Sequence, residues 1–250
     1  MRVTSPRAAI GGLARRLAPN VGAISSTTSL HLVLTFDDGP DPHQTLRMLD
    51  VLDRHDSTAT FFVLLTRTRR YPSILENVIA AGHEIGLHGP DHQALSDFSH
   101  RVATDRTIAA RDELEQQVGS RIRWFRPPYG SQSVSSFLAT RRAGLTPVLW
   151  SATTWDWKVV SQEERIHNAL KGSRPGAILL AHDGRADESD RADTSTDPGC
   201  DRVELMDQIL AKVGSEGLRG RSLGEALATS RAQRTPRLVT RPPQRDAPVR

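Results

Sequence analysis

A chain of 250 residues, 37% hydrophobic and 25% charged, has the length and composition of one soluble globular domain of roughly 200 residues with tails. No run of about 18 apolar residues occurs, which excludes a membrane-spanning helix. The net charge of +4 does not argue for nucleic acid once located: residues 1–30 hold four Arg and no acid, residues 231–250 six Arg and one Asp, so the stretch between is net acidic and carries no basic footprint.

In chain order, residues 1–29 read as a flexible leader. The apolar run 30–36 ends in Asp37-Asp38-Gly39-Pro40, a buried strand opening into a loop. Leu46, Leu49 and Leu52 recur at helical spacing across 43–54, and the β-branched and aromatic run 58–65 predicts a second strand. Ile74, Leu75, Val78 and Ile79 repeat the helical pattern over 72–81, with Gly82 placed to end it. A third strand follows at 84–87, then a polar amphipathic helix at 101–118. Trp124-Phe125 ends a strand before the loop Arg126-Pro127-Pro128-Tyr129-Gly130. Helix 131–143, strand 145–150, helix 161–171, strand 177–181 and helix 203–214 complete the series. Between the last two, residues 183–201 carry seven acids and two Arg with no apolar period, and read as a long surface loop. Residues 229–250, rich in Arg and Pro, are expected to be disordered, which leaves 30–228 as the domain.

Strands alternating with helices imply parallel β/α units, in a barrel or an open doubly wound sheet. In either architecture chemistry collects where strands end. Cys200 is the only cysteine, so no intramolecular disulfide forms. Residues 8–14 are too short, contain two glycines and run into Arg15-Arg16. They do not read as a secretory signal, and the chain is expected in the cytoplasm.

Every chemically suggestive motif sits at such a strand end. Asp37 and Asp38 are adjacent carboxylates that repel each other; a cation would relieve one and leave the other as a base. The plainer reading is an Asx-type turn before Gly39-Pro40. His88 and His92, four apart at a strand exit, can aim both imidazoles at one ion. With one carboxylate they make the set of a catalytic zinc site. The plainer reading is two unrelated histidines. His182 ends the apolar strand Ile178-Leu179-Leu180-Ala181 and suits a general acid, although buried structural histidines are commoner. Arg126 precedes a rigid turn able to aim a main-chain N–H into the site. Asp156 lies between Trp155 and Trp157, indoles that usually pack but also carry sugar rings. His31, His43, His55, His83, His100 and His167 have no such context and read as structural or solvated.

The order of these elements resembles the polysaccharide deacetylase family (the NodB homology domain, carbohydrate esterase family 4). The resemblance rests on Thr35-Phe36-Asp37-Asp38-Gly39-Pro40, His88-x-x-x-His92, Arg126-Pro127-Pro128-Tyr129-Gly130, Asp156-Trp157 and Leu179-Leu180-Ala181-His182. Ala59-Thr60-Phe61-Phe62-Val63 and Gly82-His83-Glu84-Ile85-Gly86 add to it, over about residues 30–228. It implies a distorted (β/α)7 barrel and a divalent ion, usually zinc with cobalt also serviceable, that activates water against an acetamide. Carried over by motif, Asp37 is the base and Asp38, His88 and His92 are the ligands. Arg126 orients and tunes Asp37, and the Tyr129 N–H stabilises the oxyanion. His182 protonates the leaving amine, Asp156 tunes His182, and Trp157 and Leu180 line the acetate pocket.

Two departures stand out. Gly89 replaces the family's usual Ser or Thr, leaving Asp91 as the group expected to orient a ligand imidazole. The Trp150-to-Trp157 motif is also poorer in Asp than usual, which bears on the substrate. The implied substrate is an N-acetylated sugar, in a glycan or a smaller glycoside. The alternatives are another amide, such as a formamide or cyclic imide, or an inactive glycan-binding module, which the intact Asp37 and His182 disfavour.

Overall fold

The computed structural model describes residues 22–193, 197–236 and 238. Strands and helices follow in the order β1 (Ala23–Thr27), β2 (Leu32–Asp37), α1 (Thr45–Arg54), β3 (Thr60–Leu64), α2 (Leu65–Arg70), α3 (Pro72–Ala80), β4 (Glu84–Gly89), α4 (His100–Val118) and β5 (Trp124–Phe125). Then come α5 (Val134–Arg142), β6 (Thr146–Pro147), β7 (Ala152–Thr153), α6 (Gln162–Gly172), β8 (Ile178–His182), α7 (Arg202–Ser215), β9 (Gly220–Arg221), α8 (Leu223–Ala228) and β10 (Ala232–Thr235).

Seven strands pair in the order β6-β5-β4-β3-β2-β8-β7, every pair parallel, and β9 adds alongside the first residues of β2. This is the expected distorted barrel of seven strands. Its central strands are buried along their whole length, which is why they read as continuous apolar runs rather than alternating ones. The alternation is real but hidden. Leu32, Leu34, Phe36, Phe61 and Val63 face the helices, while Val33 and Phe62 join Trp124, Val148 and Ile178 in a smaller cluster inside the curl. On β2 the period of two places Thr35 and Asp37 on the inner side with Val33. Asp37 therefore reaches the mouth of the barrel pointing inward.

Helix ends follow local chemistry. Ser99 caps α4 through its hydroxyl and Gly119 ends it at φ 71°. Ser133 and Ser161 form capping boxes on α5 and α6. Gly82 follows α3 at φ 80°, as its placement predicted.

Three expectations are corrected. The leader and the tail each surrender a segment to the body: β1 pairs antiparallel with β10, and Ala23 and Ile24 are buried. The ribbon links the end of β6 to the start of β8, through a parallel bridge from Ile24 to Val148 and an antiparallel one from Ser26 to Ala177. The rest of the expected leader and tail, residues 1–21, 237 and 239–250, lies outside the described residues. The strand at 145–150 shrinks to β6, because Val148 and Leu149 bond to Phe125 and to Ile24 in turn. Finally, residues 183–193 form a surface loop only in part, with Asp187, Glu188, Ser189 and Arg191 exposed. Asp183 and Asp190 are buried, and Glu188–Asp190 makes a 3-10 turn. A buried cation, Arg67, draws the segment in.

Candidate metal centre

The doublet at the end of β2 is split by geometry. Asp37 points into the curl, where its Oδ1 accepts from Arg126 Nη1 at 2.8 Å. The same nitrogen donates to Thr35 Oγ1 at 2.8 Å, and Nη2 donates to the Leu149 carbonyl at 3.3 Å. The guanidinium is fully buried and lies 4.3 Å over the Phe62 ring. Burial pushes Arg126 down from its ordinary value, and the Asp37 charge works against that. Charge and aromatic face together hold a cation where water cannot.

Asp38 leaves the strand at φ 72°, a conformation aspartate tolerates better than most residues. Its Oδ1 lies 3.4 Å from His88 Nε2 and 3.3 Å from His92 Nε2. All three residues are buried, and their ligand atoms lie within 4.8 Å of one another. His88 Nδ1 sits 2.8 Å from the Arg126 carbonyl. A carbonyl only accepts, so Nδ1 carries a proton, and in that neutral tautomer it is the Nε2 lone pair that faces Asp38. That arrangement sets acceptor against acceptor, and Asp38 Oδ1 has no hydrogen-bond partner. A divalent cation bound by one carboxylate and two imidazole nitrogens resolves the conflict. The donor set fits the expected ion. Burial alone would raise the Asp38 carboxyl; with the imidazoles protonated in place of an ion, the His92 charge and the His88 contact hold it well below the usual range. Burial likewise lowers His92 to about 4 against the pull of Asp38.

Across the pocket, His182 closes β8 in register with Asp37. Its Nδ1 lies 2.8 Å from Asp156 Oδ1, and its main-chain N–H donates to Asp156 Oδ2 at 2.8 Å. Burial would lower this imidazole, but the Asp156 charge and hydrogen bond, with Asp38 and Asp37 behind, raise it to about 9. Arg202, at the start of α7, approaches Asp156 Oδ2 at 3.5 Å.

A pocket of about 400 Å³ joins these groups. Asp37, Asp38, His88, His92, Tyr129, Trp157, Leu180 and His182 line it, so eight of the ten expected residues share one pocket. The other two, Arg126 and Asp156, stand directly behind Asp37 and His182. Tyr129 adopts φ 59° and sets its ring edge-on to His92 at 4.4 Å between centroids. Trp157 packs edge-on to His182 at 5.4 Å. Trp155 turns elsewhere, under Lys158 Nζ at 3.7 Å.

Asp91 does not take the orienting role. It pairs with Arg106 Nη2 at 2.7 Å, while His92 Nδ1 has no partner. Gly89 has its own reason: at φ 150° a Cβ would lie 2.6 Å from the Asp91 carbonyl oxygen, so the loop excludes the usual Ser or Thr. Sequence reasoning missed Thr35, Arg202 and Arg67. Thr35 carried a legible signal, since it shares with Asp37 the inner face of β2. Arg202 and Arg67 carried none, because arginine is ordinarily exposed.

The other expected structural histidines behave so where they are packed: His55 Nε2 meets Asp207 at 2.8 Å, and His83 lies against Phe61. No helix among the described residues is long and apolar enough to cross a membrane.

Residues 25–148 match the sequence profile of the polysaccharide deacetylases. The chain is 32% identical over 199 residues to a chitooligosaccharide deacetylase of Bradyrhizobium sp., covering 79% of this chain and 90% of that one. It is 32% identical over 201 residues to a peptidoglycan-N-acetylglucosamine deacetylase of Bacillus cereus, covering 78% and 87%. The solved peptidoglycan deacetylase PdaC from Bacillus subtilis superposes with a TM-score of 0.67 at 26% identity, covering 79% and 90%. With the motifs, the barrel and these relatives in agreement, the chain belongs to the polysaccharide deacetylase family, carbohydrate esterase family 4.

Proposed function

We propose that this chain hydrolyses the acetamide of an N-acetylated sugar, with zinc as its ion and cobalt as a working substitute. One observation carries the reading: two separately held proton-transfer groups, Asp37 and His182, face one pocket beside a convergent carboxylate and two imidazoles. Asp38, His88 and His92 are the residues that would hold the ion, which supplies Lewis-acid polarisation of the amide and activation of water. Asp37, fixed by Arg126, takes a proton from the attacking water. His182, kept protonated through neutral pH by Asp156, delivers one to the nitrogen as the C–N bond breaks. An amine leaves poorly without that proton. The Tyr129 main-chain N–H is assigned to the oxyanion, a contribution of about 3–4 kcal/mol. Leu180 and Trp157 wall the acetyl methyl group.

Relatives named for chitooligosaccharide and for peptidoglycan N-acetylglucosamine support a GlcNAc-containing substrate. The test is acetate release by the purified chain, loaded with zinc or cobalt, from chitooligosaccharides and from small N-acetyl glycosides. Turnover of either supports the reading and ranks polymer against small glycoside. Activity on formamides or cyclic imides alone would replace it. Binding of chitooligosaccharide without any turnover would mark a glycan-binding module instead.

A further inference from the structure

The three proposed ligands are not held alike. His88 is oriented by the Arg126 carbonyl on its far nitrogen, whereas His92 Nδ1 and Asp38 Oδ1 have no partner. What fixes those two comes from the acidic segment after β8. The Ala186 N–H donates to Asp38 Oδ2 at 3.2 Å. The Asp190 carbonyl accepts from the His92 N–H at 2.8 Å. The Asp193 N–H donates at 3.0 Å to the Tyr129 hydroxyl, whose ring packs on His92.

Among the side chains that anchor that segment, Arg67 is the buried cation. Arg67, on α2, is 3% exposed, and its Nε meets Asp190 Oδ2 at 2.8 Å. Its other nitrogens pair with Asp41 at 3.3 Å and Asp187 at 3.6 Å and donate to the Arg185 carbonyl. Asp190 is fully buried, with its second oxygen accepting from Thr66 Oγ1 at 2.7 Å. A buried ion pair is at best near break-even for stability against an apolar replacement. Placed here, its effect is geometric: it fixes main-chain groups that in turn fix two ligands.

We infer that Arg67, through Asp190, is a positioning residue of the metal centre, holding Asp38 and His92 at their mutual spacing without touching ion or substrate. The inference rests on the reading of Asp38, His88 and His92 as a metal site. It also gives the acidic residues after β8 a role beyond solubility, as the outer frame of the site.

Cobalt titration followed by visible absorption tests it, beside thermal melting and separate kcat and KM. The informative variant is Arg67→Met with Asp190→Leu, which leaves no stranded buried charge. It is expected to fold, to bind Co2+ about 10–100-fold more weakly with altered absorption bands, and to lose kcat more than KM. Asp190→Asn keeps the side chain's volume and the carbonyl that meets His92, and is expected to weaken Co2+ by about tenfold. Arg69→Met, on the same helix as Arg67 and breaking only the half-exposed pair with Glu113 of α4, is the control and should change neither affinity nor spectrum. Wild-type affinity and absorption in folded Asp190→Asn or in the folded double variant would overturn the inference. Absence of Co2+ binding by the unmodified chain would overturn the metal reading beneath it, a distinct result.

Discussion

Asp156 grips His182 twice, one carboxylate oxygen on the ring nitrogen and the other on the main-chain N–H, each at 2.8 Å. The ring is thereby fixed in direction as well as in charge. His182 must be protonated to serve as the acid, so its titration sets the alkaline limb of the activity profile. Asp156 raises that titration to about 9, and removing the charge lowers it. Asp156→Asn is therefore expected to move the alkaline limb to lower pH with metal still bound. A limb that stays in place would remove Asp156 from this role.

His88→Ala and His92→Ala are each expected to lose bound metal and activity together while the barrel persists. Both side chains stand at the mouth, outside the two apolar clusters. Metal analysis beside circular dichroism checks this. Full occupancy in either variant contradicts the ligand set.

The split doublet predicts different failures for neighbouring residues. Asp37→Asn should keep the ion and lose turnover by at least about 100-fold, the lower end of what a positioned base contributes. Asp38→Asn should weaken the ion itself. Metal affinity and kcat, measured separately on both variants, decide, and the reverse pattern would exchange the roles.

Gly89→Ser would restore the residue usual in the family. In this chain it places a Cβ 2.6 Å from the Asp91 carbonyl, in a backbone conformation that favours glycine. A destabilisation of about 1–3 kcal/mol is expected by urea titration, together with weaker metal binding through His88. A neutral outcome would mean that the loop relaxes freely.

Truncation separates body from tails. A chain of residues 22–236 is expected to melt like the full chain and to keep its rate. Residues 30–228 alone lose Ile24, which is 1% exposed. That loss should cost about 1.5–3 kcal/mol from the buried side chain, before counting the ribbon's hydrogen bonds. Equal stability of the two truncated chains would show that the ribbon is dispensable.

The catalytic groups were legible because each closes a long apolar strand and breaks its pattern: Asp37 and Asp38 after 30–36, His182 after Leu180-Ala181. What failed to show was short or inverted in polarity. Two-residue strands such as β7 and β9 have no period to detect, and α2 is Leu-Thr-Arg-Thr-Arg-Arg, with no apolar face. α8 could have been found from Ser222 and Glu225, whose spacing is that of the capping box they form. β1 and β10 were hidden by their setting among arginines and polar residues. The acidic segment deceived in part, for a physical reason: acids predict solvent unless a buried cation lies in wait for one, as Arg67 does for Asp190 from 123 residues upstream.

The ribbon that joins the first described strand to the last has a consequence for the order of synthesis. Thr27 cannot meet Ala232 until more than two hundred further residues have been made. Until β10 is made, a barrel that places β1 beside Val148 and Ala177 has its outer edge open. A barrel without β10 stays unlatched along one seam, and that exposed strand edge is where a chaperone would have something to hold.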